Sequence, residues 1–182
     1  VIPILDRQTQ TAQIMTGGLD LLRNVPDDVA GALSKNPDIK VSPTRSSDYI
    51  YFTLDAQGRS GRTELKDARV RKAIIMAIDR EKIAREIVSG GEVAEMLDAI
   101  CFPFTVACAP STKPYPYNPA EARRLLAEAG HPGGFEMPLF AHAPMKDVAV
   151  AMSGDLLKVG IKATVQSMTI SIYQKARQDG KL

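Results

Sequence analysis

No stretch of the sequence is both long and apolar enough to cross a bilayer as a helix. No run of lysine and arginine offers the footprint of a nucleic-acid or anionic-membrane surface either. Acidic and basic side chains are intermixed and nearly balanced, 21 against 23, for a formal net charge of +2, so charge designates no partner. Histidine and cysteine are scarce, two of each. Cys101 and Cys108 lack the paired C-x-x-C spacing that, with His131 or His142, would make a zinc site. His131 precedes Pro132-Gly133-Gly134 and reads as a solvated turn residue, while His142 follows a predicted strand and sits in a short loop. The start, Val1 to Asp6, has neither the basic residues nor the cleavage site of a signal peptide. If the protein is exported, its targeting segment is expected ahead of Val1.

Catalytic motifs are missing as well. There is no Gly-x-Ser-x-Gly elbow, no phosphate-binding loop and no His-Glu-x-x-His. Gly17-Gly18 and Gly90-Gly91 are isolated pairs that read as helix terminators, because a phosphate cradle needs more glycines and a following helix. Asp67, Asp79 and Glu121 have structural work at helix starts. General acid–base chemistry needs two carboxylates converging in a cleft, and no spacing here points to such a pair. The expectation is a protein that is not an enzyme.

What is present is the composition of a globular chain: 45% hydrophobic and 24% charged residues over 182 positions. Ile2 to Leu5 and Leu19 to Leu22 are short apolar runs that predict strands, with a helix through Ala12 and Met15 between them. Pro26, read as a first helical position, with Asp27 and Asp28 behind it, opens another helix. Residues 39–43 and 48–54 read as extended, the second with Ile50, Phe52 and Leu54 alternating against Tyr49, Tyr51 and Thr53. The polar stretch 55–64 is the most linker-like in the chain. Helices follow: Val70, Ala73, Ile74, Ala77 and Ile78 form one apolar stripe, and Ala84, Ile87 and Val88 are expected to point inward from a second helix capped by Asp79. Residues 98–117 read as a long loop. Asn118-Pro119-Ala120-Glu121 is a helix start with a cap, a proline and an acid in the right places. Residues 135–141 predict a strand, Val148 to Val159 a helix, Ile161 to Val165 a strand and 170–178 a last helix. The pattern is α/β.

Four segments, in order, carry a resemblance. They are Thr16-Gly17-Gly18-Leu19-Asp20-Leu21-Leu22; Leu65 to Ala73 continuing through Ala77-Ile78-Asp79-Arg80; Tyr115 to Ala122 running into Leu125 to Gly130; and Leu156 to Ile161 leading to Ser171-Ile172-Tyr173 and Asp179-Gly180. Together they resemble the bacterial extracellular solute-binding proteins of family 5, the peptide- and nickel-type receptors of ABC importers. Whole receptors of that family are much longer, so the resemblance implies an internal piece. It implies a type II periplasmic-binding-protein-like fold, a mixed sheet flanked by helices, with the two-lobe receptor incomplete. Residues 1–55 would be part of the first lobe, 56–66 the hinge and 67–182 most of the second lobe.

Capture by lobe closure is the function the resemblance implies: an oligopeptide or related small solute held between lobes and presented to the membrane permease. No cofactor, metal or nucleic acid is implied, and the location implied is periplasmic. The loop after the second-lobe strand would face the cleft, with His142, Pro144, Met145 and Lys146. The family's dipeptide receptors tend to carry an arginine there, and this chain does not. Lys146 reads equally as a solvated residue at a helix start. Phe102 and Phe104 would line a pocket or pack within their loop. From the residues alone, Cys101 and Cys108 could be a disulfide or two buried thiols; the oxidising compartment that the resemblance implies favours a disulfide. Residues 1–182 alone are expected to bind solute weakly or not at all. A stand-alone interaction module and a nickel-chelate receptor are the alternative readings.

Overall fold

A computed structural model describes residues 4, 6–23, 25–42, 48–88, 94–97, 99, 101–102, 105–108 and 113–182, with the side chain of Asp27 excepted. The chain divides into two compact units, Val1–Ser46 with Val88–Ala94, and Ser47–Ile87 with Glu95–Leu182. The division falls at 46/47, and the polar stretch 55–64 lies inside the second unit.

The first unit holds helix α1 (Arg7–Met15) and helix α2 (Asp27–Leu33). Asp6 caps α1, its carboxylate accepting from the Thr9 N–H at 2.7 Å and the Thr9 hydroxyl at 2.6 Å. Gly17, at φ 75°, reverses the chain so that the N–H groups of Gly18 and Leu19 both reach the Gln13 carbonyl. The strand expected at 19–22 does not form: Leu21 is 74% exposed and no ladder runs through the segment. An apolar run becomes a strand only where a partner supplies hydrogen bonds, and among the described residues only one strand pair exists. The run proposed at Ile2–Leu5 lies largely outside the described residues. Pro26 occupies the cap position of α2 instead of its first turn, a one-residue difference typical of helix ends.

The second unit is built on helix α3 (Ala68–Ala77), helix α4 (Arg80–Glu86) and helix α5 (Pro119–Glu128). The stripe of α3 is buried throughout: Val70, Ala73 and Ala77 have no exposed surface, Ile74 has 2% and Ile78 has 1%. Asp67 starts α3 by accepting from the Arg69 N–H at 2.7 Å. Asp79 caps α4 through the Lys82 N–H, and Asn118 caps α5 through the Glu121 N–H, each at 3.0 Å. The Asn118 N–H donates in turn to the Met76 carbonyl at 2.8 Å, which fastens the start of α5 to α3. In α4 the buried residue is Ile83, whereas Ile87 is 42% exposed. The helix ends at Glu86, so Ile87 leaves the face it would otherwise share with Ile83.

A parallel pair completes the unit: strand β1 (Phe135–His142), helix α6 (Lys146–Leu157), strand β2 (Ile161–Met168) and helix α7 (Ile170–Gln178). Phe135 pairs with Ile161, and the register runs unbroken to His142 with Met168. Met137, Ala141, Ile161 and Ala163 are buried on one face with Met152 and Leu156 of α6. The strands start where Gly134 and Gly160 meet. A Cβ on Gly134 would fall on the Gly160 carbonyl, and both residues have positive φ, 76° and 92°, so side chains are excluded there.

Segment 48–54 does not enter a ladder among the described residues, and the expected alternation holds only in its second half: Phe52 and Leu54 pack on the core, whereas Ile50 is exposed with Tyr49 and Tyr51. The turn after it is anchored. Asp55 accepts from the N–H and the hydroxyl of Ser60, both at 2.7 Å, and Arg62 donates to the Glu136 carbonyl at 2.9 Å. Among the described residues one acidic residue is buried, Asp155 on α6. It accepts from the Asp79 N–H at 2.9 Å and from Lys158 Nζ at 2.7 Å, which joins α6 to the cap of α4.

Candidate functional site

β1 and β2 end together at the His142–Met168 pair, and the carboxyl ends of parallel strands are where α/β proteins hold solutes. Four of the residues expected to touch solute follow one another there. His142 closes β1, Ala143–Met145 make a single 3-10 turn, and Lys146 opens α6. Pro144 and Lys146 are exposed; His142 and Met145 are half-buried. One residue after β2, α7 begins. Neither Met145 at the head of α6 nor Thr169 at the head of α7 makes a side-chain cap hydrogen bond. Two helix amino ends, each carrying partial positive charge and lacking a side-chain cap, therefore follow the paired strand ends at His142 and Met168. Asp147 lies in the first turn of α6.

The His142 ring meets the Tyr173 ring of α7 edge-on, with centroids 5.8 Å apart and planes at 65°. One turn on, Arg177 Nη1 donates to the Tyr51 hydroxyl at 3.2 Å. Tyr51 lies 5.6 Å from Tyr49, and Tyr49 meets Phe102 edge-on at 5.9 Å. Phe102 is thus joined to the His142–Lys146 group by way of α7. Phe104 lies outside the described residues. Cys101 and Cys108 are bonded through their sulfurs, with Cα atoms 5.7 Å apart, on either side of the Phe102 segment.

Tyr49, Tyr51, Tyr173 and Arg177 belong to this arrangement and were missed as candidates. Their signals were present: Tyr49 and Tyr51 share a face at spacing two, and Tyr173 and Arg177 share one at spacing four. Chemically the group offers aromatic faces, cations and helix amino ends. It suits non-covalent grip on an anionic or peptide-like group. Among the described residues no group of three His, Cys, Asp or Glu is placed to hold a metal ion, and no helix is long and apolar enough to cross a membrane.

Comparison with known proteins gives this geometry its context. The description "Bacterial extracellular solute-binding proteins, family 5 Middle" matches residues 1–182. The glutathione-binding protein GsiB of Escherichia coli O1:K1 / APEC is 30% identical over 182 residues, covering 98% of this chain and 34% of that protein. The chain therefore spans about a third of the length of the curated relatives it matches. The periplasmic binding protein DppA of Helicobacter pylori, solved with the peptide STSA, superposes with a TM-score of 0.79 at 24% identity, over 97% of this chain and 33% of that one. The dipeptide-binding protein of Pseudoalteromonas sp. SM9913, solved with Met-Leu, gives 0.80 at 23%, over 96% and 35%. These neighbours share the type II periplasmic-binding-protein fold, and the family is one of binding proteins, not enzymes. Matched along its whole length, the chain belongs to the bacterial extracellular solute-binding proteins of family 5.

Proposed function

We propose that the chain is part of an extracytoplasmic receptor that captures a small peptide or related solute and delivers it to the membrane permease of an ABC importer. The family match over residues 1–182 carries this reading. The relative at 30% identity is named for glutathione, and two of the structural neighbours were solved with peptides; both are consistent with a short peptidic solute. In the lobe assignment residues 1–55 contribute to the first lobe, 56–66 pass between lobes and 67–182 make most of the second.

Within this receptor His142, Pro144, Met145 and Lys146 line the solute site at the carboxyl end of β1, with Phe102 nearby. A solute carboxylate is the group best suited to two uncapped helix amino ends beside a lysine. A lysine grips it as a point charge, without the two-pronged geometry of an arginine. Mass spectrometry of solute retained by the full-length receptor tests the reading directly. A peptide or peptide-like acid is expected, and consistent recovery of a neutral, non-peptidic solute would overturn it.

A further inference from the structure

Helix α7 is not fixed by the hydrophobic core, since none of its nine residues is buried. Side chains from three other places hold it. Tyr173 meets His142, Arg177 reaches the Tyr51 hydroxyl, and at the carboxyl end Arg59 Nη2 donates to the Gln178 carbonyl at 3.2 Å. The guanidinium of Arg59 also fills the space that a side chain on Gly180 would need. A Cβ there would come within 2.6 Å of Nη2, and Gly180 is buried with φ 71°. A cation over the last carbonyls of a helix also opposes its dipole. Arg59 is itself steadied by its turn, which the two hydrogen bonds between Asp55 and Ser60 close. From Gln178 to Tyr173 is about 7.5 Å along the helix axis, so displacement at one end is felt at the other.

We propose that Arg59 is a positioning residue for the solute site: by gripping the carboxyl end of α7 it sets how Tyr173 meets His142, and so the affinity for solute. The inference rests on the reading of the carboxyl end of β1 as that site. Arg59 touches no solute; it acts through Tyr173.

The test uses the full-length receptor carrying 13C-labelled histidine. The His142 imidazole signal is assigned by its loss in His142→Gln. The His131 signal serves as control, since His131 packs on Phe135 at the other end of β1, with ring centroids 5.2 Å apart. Tyr173→Leu removes the ring-current contribution to the His142 signal. Arg59→Ala moves that signal in the same direction, leaves His131 in place, and adds nothing when combined with Tyr173→Leu. Gly180→Ala, which displaces the guanidinium by another route, reproduces the Arg59→Ala spectrum. A His142 signal unmoved by Arg59→Ala or by Tyr173→Leu overturns the proposal, as does one that moves together with His131. In calorimetry with glutathione and with Met-Leu, Arg59→Ala weakens whichever binds by about three- to tenfold, and the losses from Arg59 and Tyr173 are non-additive. Additive losses count against the coupling. If His142→Gln leaves both affinities unchanged, the site reading fails, while the spectra still decide whether Arg59 sets the Tyr173–His142 contact.

Discussion

Helices α3 and α7 are nearly the same length, ten residues and nine, and are held by opposite means. α3 buries Val70, Ala73, Ile74, Met76 and Ala77, and its place follows from removing that surface from water. α7 has no buried residue, only the half-buried Tyr173 and Ala176, and is located by single contacts to Arg59, Tyr51 and His142. Burial gives stiffness that no one contact controls. Individual contacts give a position that one substitution can reset, which suits an element bordering the proposed solute site.

The largest expected effect tests the first half of this contrast. Ile74→Ala empties a site that is 2% exposed, and a loss of about 2–5 kcal/mol is expected from the denaturant midpoint at unchanged slope. Asp155→Ala comes next. It leaves the Asp79 N–H without its acceptor, and the cost should be about 1–3 kcal/mol; a loss no greater than at an exposed position would mean that water replaces the carboxylate.

Acid tests the polar attachments. The N–H and hydroxyl of Ser60 hold the Asp55 carboxyl at about 2, and hydrogen bonds from Arg69 hold Asp67 at about 2, both below the ordinary 3.8. A carboxyl depressed in the folded state contributes stability that is complete above pH 3.8 and is lost as pH falls toward 2. Urea midpoints should therefore decline across that window, and the decline should shrink in the Asp55→Asn/Asp67→Asn double variant. The smallest effect belongs to α7. Ile172 is the same residue type as Ile74 but 59% exposed, so Ile172→Ala should change stability by less than about 0.5 kcal/mol. A loss comparable to that of Ile74→Ala would erase the contrast between the two helices.

The same division governs what could be read from the sequence. The α3 stripe, the caps at Asp67, Asp79 and Asn118, and the two strands of the parallel pair are local patterns, visible as spacing. The strand expected at 19–22 was not, because pairing depends on a partner that spacing does not reveal. Asp155 carried no local sign either, since the N–H it accepts from lies 76 positions away. At the candidate site, the residues from His142 to Lys146 are contiguous, so spacing alone could group them. Tyr173, Tyr51 and Arg59 come together only when α7 is laid down, and a helix without a buried stripe gives spacing little to report.

The glycine contact at the head of the parallel pair has a consequence for insertions and deletions. Gly134 and Gly160 fix where the two strands begin, and seven residues of each strand separate that point from the pair that carries His142. Side chains alternate faces along a strand, so the count between is also an address. One residue added to β1 would turn His142 toward α6 and away from Tyr173, and two would keep its direction but carry it past α7. Substitution can tune this site by degrees; a change of length moves it in whole steps.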